Sequence, residues 1–169
     1  VNNIESLDTN YVATYYPWVK MDNPAGNGQV YVPPSVVIAG VISFTDSVAH
    51  EWFAPAGFTR GGLTEGSAGI GVIQTRERLT SKQRDDLYEA NVNPIASFPA
   101  EGIVIFGQKT LQVTPSALDR INVRRLLIFL KKEISRIASR ILFDQNVQAT
   151  WDRFSGQVVP FLEGVQSGL

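Results

Sequence analysis

The chain contains no cysteine, one histidine and one methionine. Without cysteine there is no disulfide, no thiolate nucleophile and no thiolate-held metal. The lone histidine, His50, has no second imidazole four residues on, so His50-Glu51 cannot supply the histidine pair of a zinc protease. Charge of one sign is also missing: 15 Lys and Arg face 16 Asp and Glu, a net −1 that argues against a general nucleic-acid binder. No apolar run reaches the roughly 20 residues that span a bilayer. Residues 1–10 (VNNIESLDTN) have neither a basic region nor an apolar one, so they are no signal peptide and read as a polar lead-in loop. The chain begins without Met and ends at Ser-Gly-Leu without an obvious tail, which reads as a fragment of a longer protein.

What is present suits a folded domain. At 169 residues and 44% hydrophobic, the chain is long enough for one domain, 1–169, with a real core. Residues 11–20 (YVATYYPWVK) are aromatic and β-branched, a strand that Pro17 confines to an edge or bends. A loop follows over 21–29. Pro33-Pro34-Ser35 then looks like the start of a helix, with Ser35 a possible N-cap and Val37, Val41, Phe44 and Val48 at helical spacing. Residues 49–71 form a glycine- and proline-rich excursion, and 71–75 a short strand. Thr80 and Gln83 make a capping box for a helix to about Ala90, ended by Asn91-Val-Asn-Pro94. Residues 95–98 and 103–106 are short buried strands, and 108–119 a loop. The order gives an α/β fold of mixed layers, helices covering a small mixed sheet.

The strongest periodicity lies at 122–143 (NVRRLLIFLKKEISRIASRILF). Val123, Leu126, Leu127, Leu130, Ile134, Ile137 and Ile141 share one stripe at 100° per residue, an amphipathic helix about 33 Å long. Arg125, Lys132 and Arg136 project from the opposite face, with Arg140 flanking them. Ile128, Phe129, Leu142 and Phe143 fall outside the stripe, so the back of this helix is not purely solvated. A localised positive strip mixed with Phe129 and Phe143 suits an acidic protein surface better than a phosphate track. Its alternative is a solvated face whose basic stems cover apolar surface. A second amphipathic segment sets Trp151, Phe154, Val158, Phe161, Leu162 and Val165 on one face, with Pro160 predicting a kink or two shorter helices.

Candidate chemistry is thin. Gly102-IVIF-Gly107-Gln-Lys109-Thr110 has the glycines of a phosphate loop, but Gln108 displaces the lysine and IVIF reads as a strand rather than an open cradle. Gly66-Ser-Ala-Gly69-Ile-Gly71 precedes a strand, the reverse of a dinucleotide fingerprint. No G-x-S-x-G elbow accompanies His50. Asp85-Asp86 read as acids early in a helix, favoured by its positive end. Nothing marks a catalytic, cofactor or metal site.

Several segments, in order, resemble the core of contractile-tail sheath proteins, the family of myovirus sheaths, pyocins and other phage-tail-like injection machines. They are TYYPWVK (14–20), VYVPPSVVIAGV (30–41), FAPAG (53–57), NVNPIASFPAEGIVIFGQKTL (91–111), INVRRLLIFLKKEI (121–134), and the LFDQN and TWDRF of 142–154. The resemblance implies a structural protein, not an enzyme and without cofactor. Such subunits polymerise as hexameric rings or helical strands around a tail tube, and a baseplate triggers contraction that drives the tube through the host envelope. Its partners would be neighbouring sheath subunits, the tail tube protein and the baseplate, with no nucleic acid and no direct membrane insertion. Its place would be the virion tail after assembly in the host cytoplasm. Terminal arms that add strands to a neighbour's sheet, and the outer domains, are absent from this stretch. Arg125, Lys132, Arg136 and Arg140 are then the expected interface cations. The alternatives are a nucleotide-binding or hydrolytic α/β domain using Lys109, or a stand-alone protein-binding module.

Overall fold

A computed structural model describes residues 7–64 and 70–168. They fall into two compact units that divide between Leu126 and Leu127. The first carries strands β1 (Thr14–Tyr16), β2 (Val19–Asp22) and β3 (Gln29–Val32), then helices α1 (Pro34–Val48) and α2 (Gly57–Arg60). It continues with β4 (Val72–Thr75), α3 (Ser81–Glu89), β5 (Val92–Phe98) and β6 (Gly102–Ile105), followed by a 3-10 turn at Ala117–Asp119. Helix α4 (Ile121–Ser139) starts here and runs on into the second unit, which also holds α5 (Gln148–Ser167).

The α/β class holds, but the small sheet is two three-stranded sheets, ordered β1-β5-β6 and β3-β2-β4. β1 lies parallel to β5, and every other pair is antiparallel. The single strand expected over 11–20 is split at Pro17, which has no N–H for a ladder, and the chain passes there from one sheet to the other. The Tyr16–Pro17 peptide is cis. Val19, Val72, Ile95, Ile103 and Ile105 from the two sheets meet Val37, Ile38 and Val41 of α1 in one core. The buried row on α1 is Val37, Val41 and Thr45, whereas Val48 is exposed. Thr45 escapes the cost of burial because its hydroxyl donates to the Val41 carbonyl at 2.9 Å. Ser35 is not the cap: it sits inside the helix, behind Pro34 in the first turn, where a missing N–H breaks no intrahelical bond.

The Thr80–Gln83 capping box is present in both directions. Because α3 starts at Ser81, Asp85 and Asp86 lie beyond its first turn, so the positive helix end does not account for them. Asn91, at φ 58, ends the helix, and β5 begins at once and contains Pro94. Proline is tolerated in this middle strand because it stands at the limit of both ladders. It faces Tyr16 at the end of β1, and beyond the last β6 pair its carbonyl accepts from Phe106 N–H at 2.8 Å.

In the second unit the expected helix of 122–143 stops at Ser139, and residues 140–143 continue as turns closed by i→i+3 bonds. Phe129 and Phe161 rings lie 5.9 Å apart, which ties α4 to α5. Instead of two shorter helices, α5 is one helix of 20 residues with Pro160 inside it.

Candidate assembly surface

The structure places the four expected cations differently. Arg125 turns inward: its Nη2 lies 2.6 Å from both carboxylate oxygens of Asp46 on α1, and its side chain is 17% exposed. Arg136 is exposed but bridges to Glu133 at 2.8 Å, one turn back. Lys132 and Arg140 are exposed and form no ion pair among the described residues. Lys132 and Arg136 stand one turn apart on α4, about 6 Å at about 1.5 Å per residue, and Arg140 opens the turn that follows the helix. Arg124 belongs to the interior: it donates to Asn10 Oδ1 at 2.6 Å and lies 4.3 Å from the Tyr11 ring centroid. Of the two aromatics expected beside the basic strip, Phe129 packs on α5, while Phe143 is 96% exposed.

A feature the sequence did not flag lies in the first unit. A groove of about 670 Å³ runs between β1 and α3, with Tyr15, Leu79, Leu87 and Val92 as apolar walls. Its only charged lining residues are Glu77 and Asp86, both acidic and both exposed. Tyr16 donates its hydroxyl to Glu77 Oε2, and that bond raises its pKa above the ordinary phenol value. Burial pushes the Tyr15 phenol up as well, against the opposing pull of Arg125. Asp85-Asp86 was the one available signal, and it pointed to a helix end instead of a groove. The rest of the lining comes together only when 14–16 and 77–92 fold side by side.

The residues that suggested catalysis have structural work. Lys109 donates from Nζ to the Tyr88 carbonyl at 2.8 Å and lies 4.2 Å from that ring's centroid, so it does not reach out as a phosphate-binding lysine must. Gly102 is at φ +72, where a Cβ would also stand 2.1 Å from Thr64 Oγ1, and a Cβ on Gly107 would stand 2.8 Å from Asn93 Oδ1. Both glycines are thus explained by backbone packing. Between them Gly102–Ile105 is strand, as expected. His50 stacks on Trp52 at 4.4 Å. The glycine-rich run from Gly66 lies largely outside the described residues. Among the described residues no group of three or more His, Asp or Glu is placed to hold a metal, and no helix is long and apolar enough to cross a membrane.

No protein-family model matches the chain. Individual relatives do. The tail sheath protein of Vibrio phage KVP40 is 39% identical over 136 residues, 80% of this chain and 19% of that protein. The tail sheath protein of Enterobacteria phage T4 is 37% identical over 134 residues, 79% of this chain and 19% of its own. That of Salmonella phage ViI is 31% identical over 160 residues, 94% of this chain and 24% of its own. The chain therefore spans about a fifth to a quarter of the curated relatives it matches. In three dimensions it resembles the contracted sheath complex of an extracellular contractile injection system, PVC, with TM-score 0.80 and 26% identity. It also resembles the contracted helical sheath of the anti-feeding prophage, with TM-score 0.79 and 29% identity. Each match covers 96% of this chain and 42% of the other.

Proposed function

We propose, from the premise that this chain belongs to the contractile tail sheath family, that it is part of the core of a structural subunit. That subunit polymerises around a tail tube and contracts to drive the tube through a host envelope. The observation that carries this reading is the match, along 96% of the chain, to subunits of two contracted sheaths. The reading is non-catalytic, in keeping with relatives that are structural tail sheath proteins. It places the subunit in the virion tail, assembled in the host cytoplasm, with neighbouring sheath subunits, the tube protein and the baseplate as partners.

The four cations take distinct parts in this proposal. Arg125 holds the base of α4 to α1 through Asp46. Lys132, Arg136 and Arg140 present charge to acidic partner groups on the tube or an adjacent subunit. Long-lived contacts of a contractile machine must repack between two states, and exposed ion pairs suit that because they are screened and individually weak. Negative-stain microscopy of the full-length protein tests the reading: tubular sheaths are expected, and a protein that stays monomeric at all concentrations refutes it. Lys132→Glu with Arg136→Glu should weaken assembly on tubes, and added salt should mimic the effect.

A further inference from the structure

The groove between β1 and α3 and the turn that ends α4 are complementary surfaces. At the turn, Arg140 is exposed and in no ion pair among the described residues, and beside it Leu142 and Phe143 are 71% and 96% exposed. One exposed cation and two exposed apolar side chains thus stand within four residues of one turn. The groove offers the converse, with apolar walls of Tyr15, Leu79, Leu87 and Val92 and, among the described residues, Glu77 and Asp86 as its charged lining, while Arg125 and Arg76 act on Tyr15 and Tyr16 from nearby. Of the two cations on α3, Lys82 and Arg84, neither lines the groove, and Arg84 lies over the Phe98 ring at 5.1 Å.

We infer that the Arg140–Phe143 turn of one copy seats in the β1–α3 groove of the next. Leu142 and Phe143 fill the apolar floor, and Arg140 meets Glu77 and Asp86 at the rim. A fully exposed phenylalanine beside a cation is an anchor of the kind that dominates protein interfaces. The two surfaces belong to different parts of the chain, so the contact is head-to-tail. Such a contact leaves an unused groove and an unused turn at each end, and so propagates into rings or open helical strands instead of stopping at a dimer. The inference rests on reading the chain as a subunit of a repeating assembly, and it names one of the contacts.

The test uses the full-length protein. Glu77→Arg with Asp86→Arg, or Arg140→Glu with Phe143→Ser, should each lower the assembled fraction about tenfold in sedimentation, as loss of a desolvated charge pair and its anchor does. Glu77→Arg with Asp86→Arg should regain assembly when Arg140→Glu is added. Melting curves check that the variants fold, which their exposed positions favour. In parallel, Glu77→Cys and Phe143→Cys proteins are mixed and oxidised, and a cross-linked pair that neither forms alone is expected. Sheaths that form normally in every variant, with no mixed cross-link, overturn the inference and leave the sheath reading standing. A mixed cross-link without sheaths supports the contact and refutes the sheath reading. Absence of both refutes both.

Discussion

The two units solve burial in opposite ways. In the first, Val19, Val37, Val41, Ile95 and Ile105 are all 0% exposed, drawn from two sheets and one helix. In the second, the buried apolar residues are Ile137, Val158 and Val165, each at 8%, while Leu142, Phe143, Trp151 and Val159 stand 71%, 96%, 59% and 49% exposed. Two helices over some forty residues enclose too little volume to hide their apolar surface. The first unit is thus built to keep its shape, and the second to present surface.

This contrast is open to direct attack. Ile105→Ala, in the centre of the first core, should destabilise the protein by about 2–5 kcal/mol in chemical denaturation, through lost transfer energy and a residual cavity. A loss below about 1 kcal/mol would show a core that collapses around the gap, contrary to the rigid role. Asn93 is 0% exposed and holds three backbone groups: Nδ2 donates to the carbonyls of Thr14 and Lys109 at 3.0 and 2.8 Å, and Oδ1 accepts from Lys109 N–H at 2.6 Å. Asn93→Ala strands those groups away from water and should cost about 2–4 kcal/mol by the same measurement.

In the second unit, Pro160 should respond in the other direction. Pro160 lies exposed inside α5, where it removes a donor. Pro160→Ala should raise helical circular dichroism and stability by up to about 3 kcal/mol. A destabilised variant would instead mean that the surrounding structure requires the proline. At the root of α4, Asp46 and Arg125 are 34% and 17% exposed, so Asp46→Ala should cost only about 1–2 kcal/mol after solvent screening, read as a lowered melting temperature. Smallest of all, Phe143→Ser should change stability by less than about 0.5 kcal/mol while impairing assembly of the full-length protein. A large stability loss there would place Phe143 in a core and end the contrast between the units.

Local patterns in the sequence translated well where a short-range rule governs the backbone. The capping box at Thr80 and Gln83 closes within one turn, so four residues suffice to read it. The stop at Asn91, the strand of 102–105 and the amphipathic α4 follow from turn chemistry and from apolar spacing in the same way. The misreadings share a cause. Ser35 had cap chemistry but stands one residue behind a proline already inside the helix. The α4 stripe, read on to Ile141, outlasts its hydrogen bonds because apolar residues continue into the turn.

The sequence by itself determined an α/β chain with one long basic helix, and its ordered segments were enough to indicate the sheath family. Only the tertiary structure decided which of the cations are available. Arg125 and Arg136 look alike in sequence. One is drawn to Asp46 from a helix some eighty positions earlier in the chain, and the other bridges to Glu133 one turn away at the surface. Lys132 and Arg140 remain outside any ion pair among the described residues. The groove lined by Glu77 and Asp86 joins β1 to a segment more than sixty positions later. Periodicity along a chain records which face of one element is apolar. It carries no record of which distant carboxylate that face will meet, because that choice is made by packing between elements.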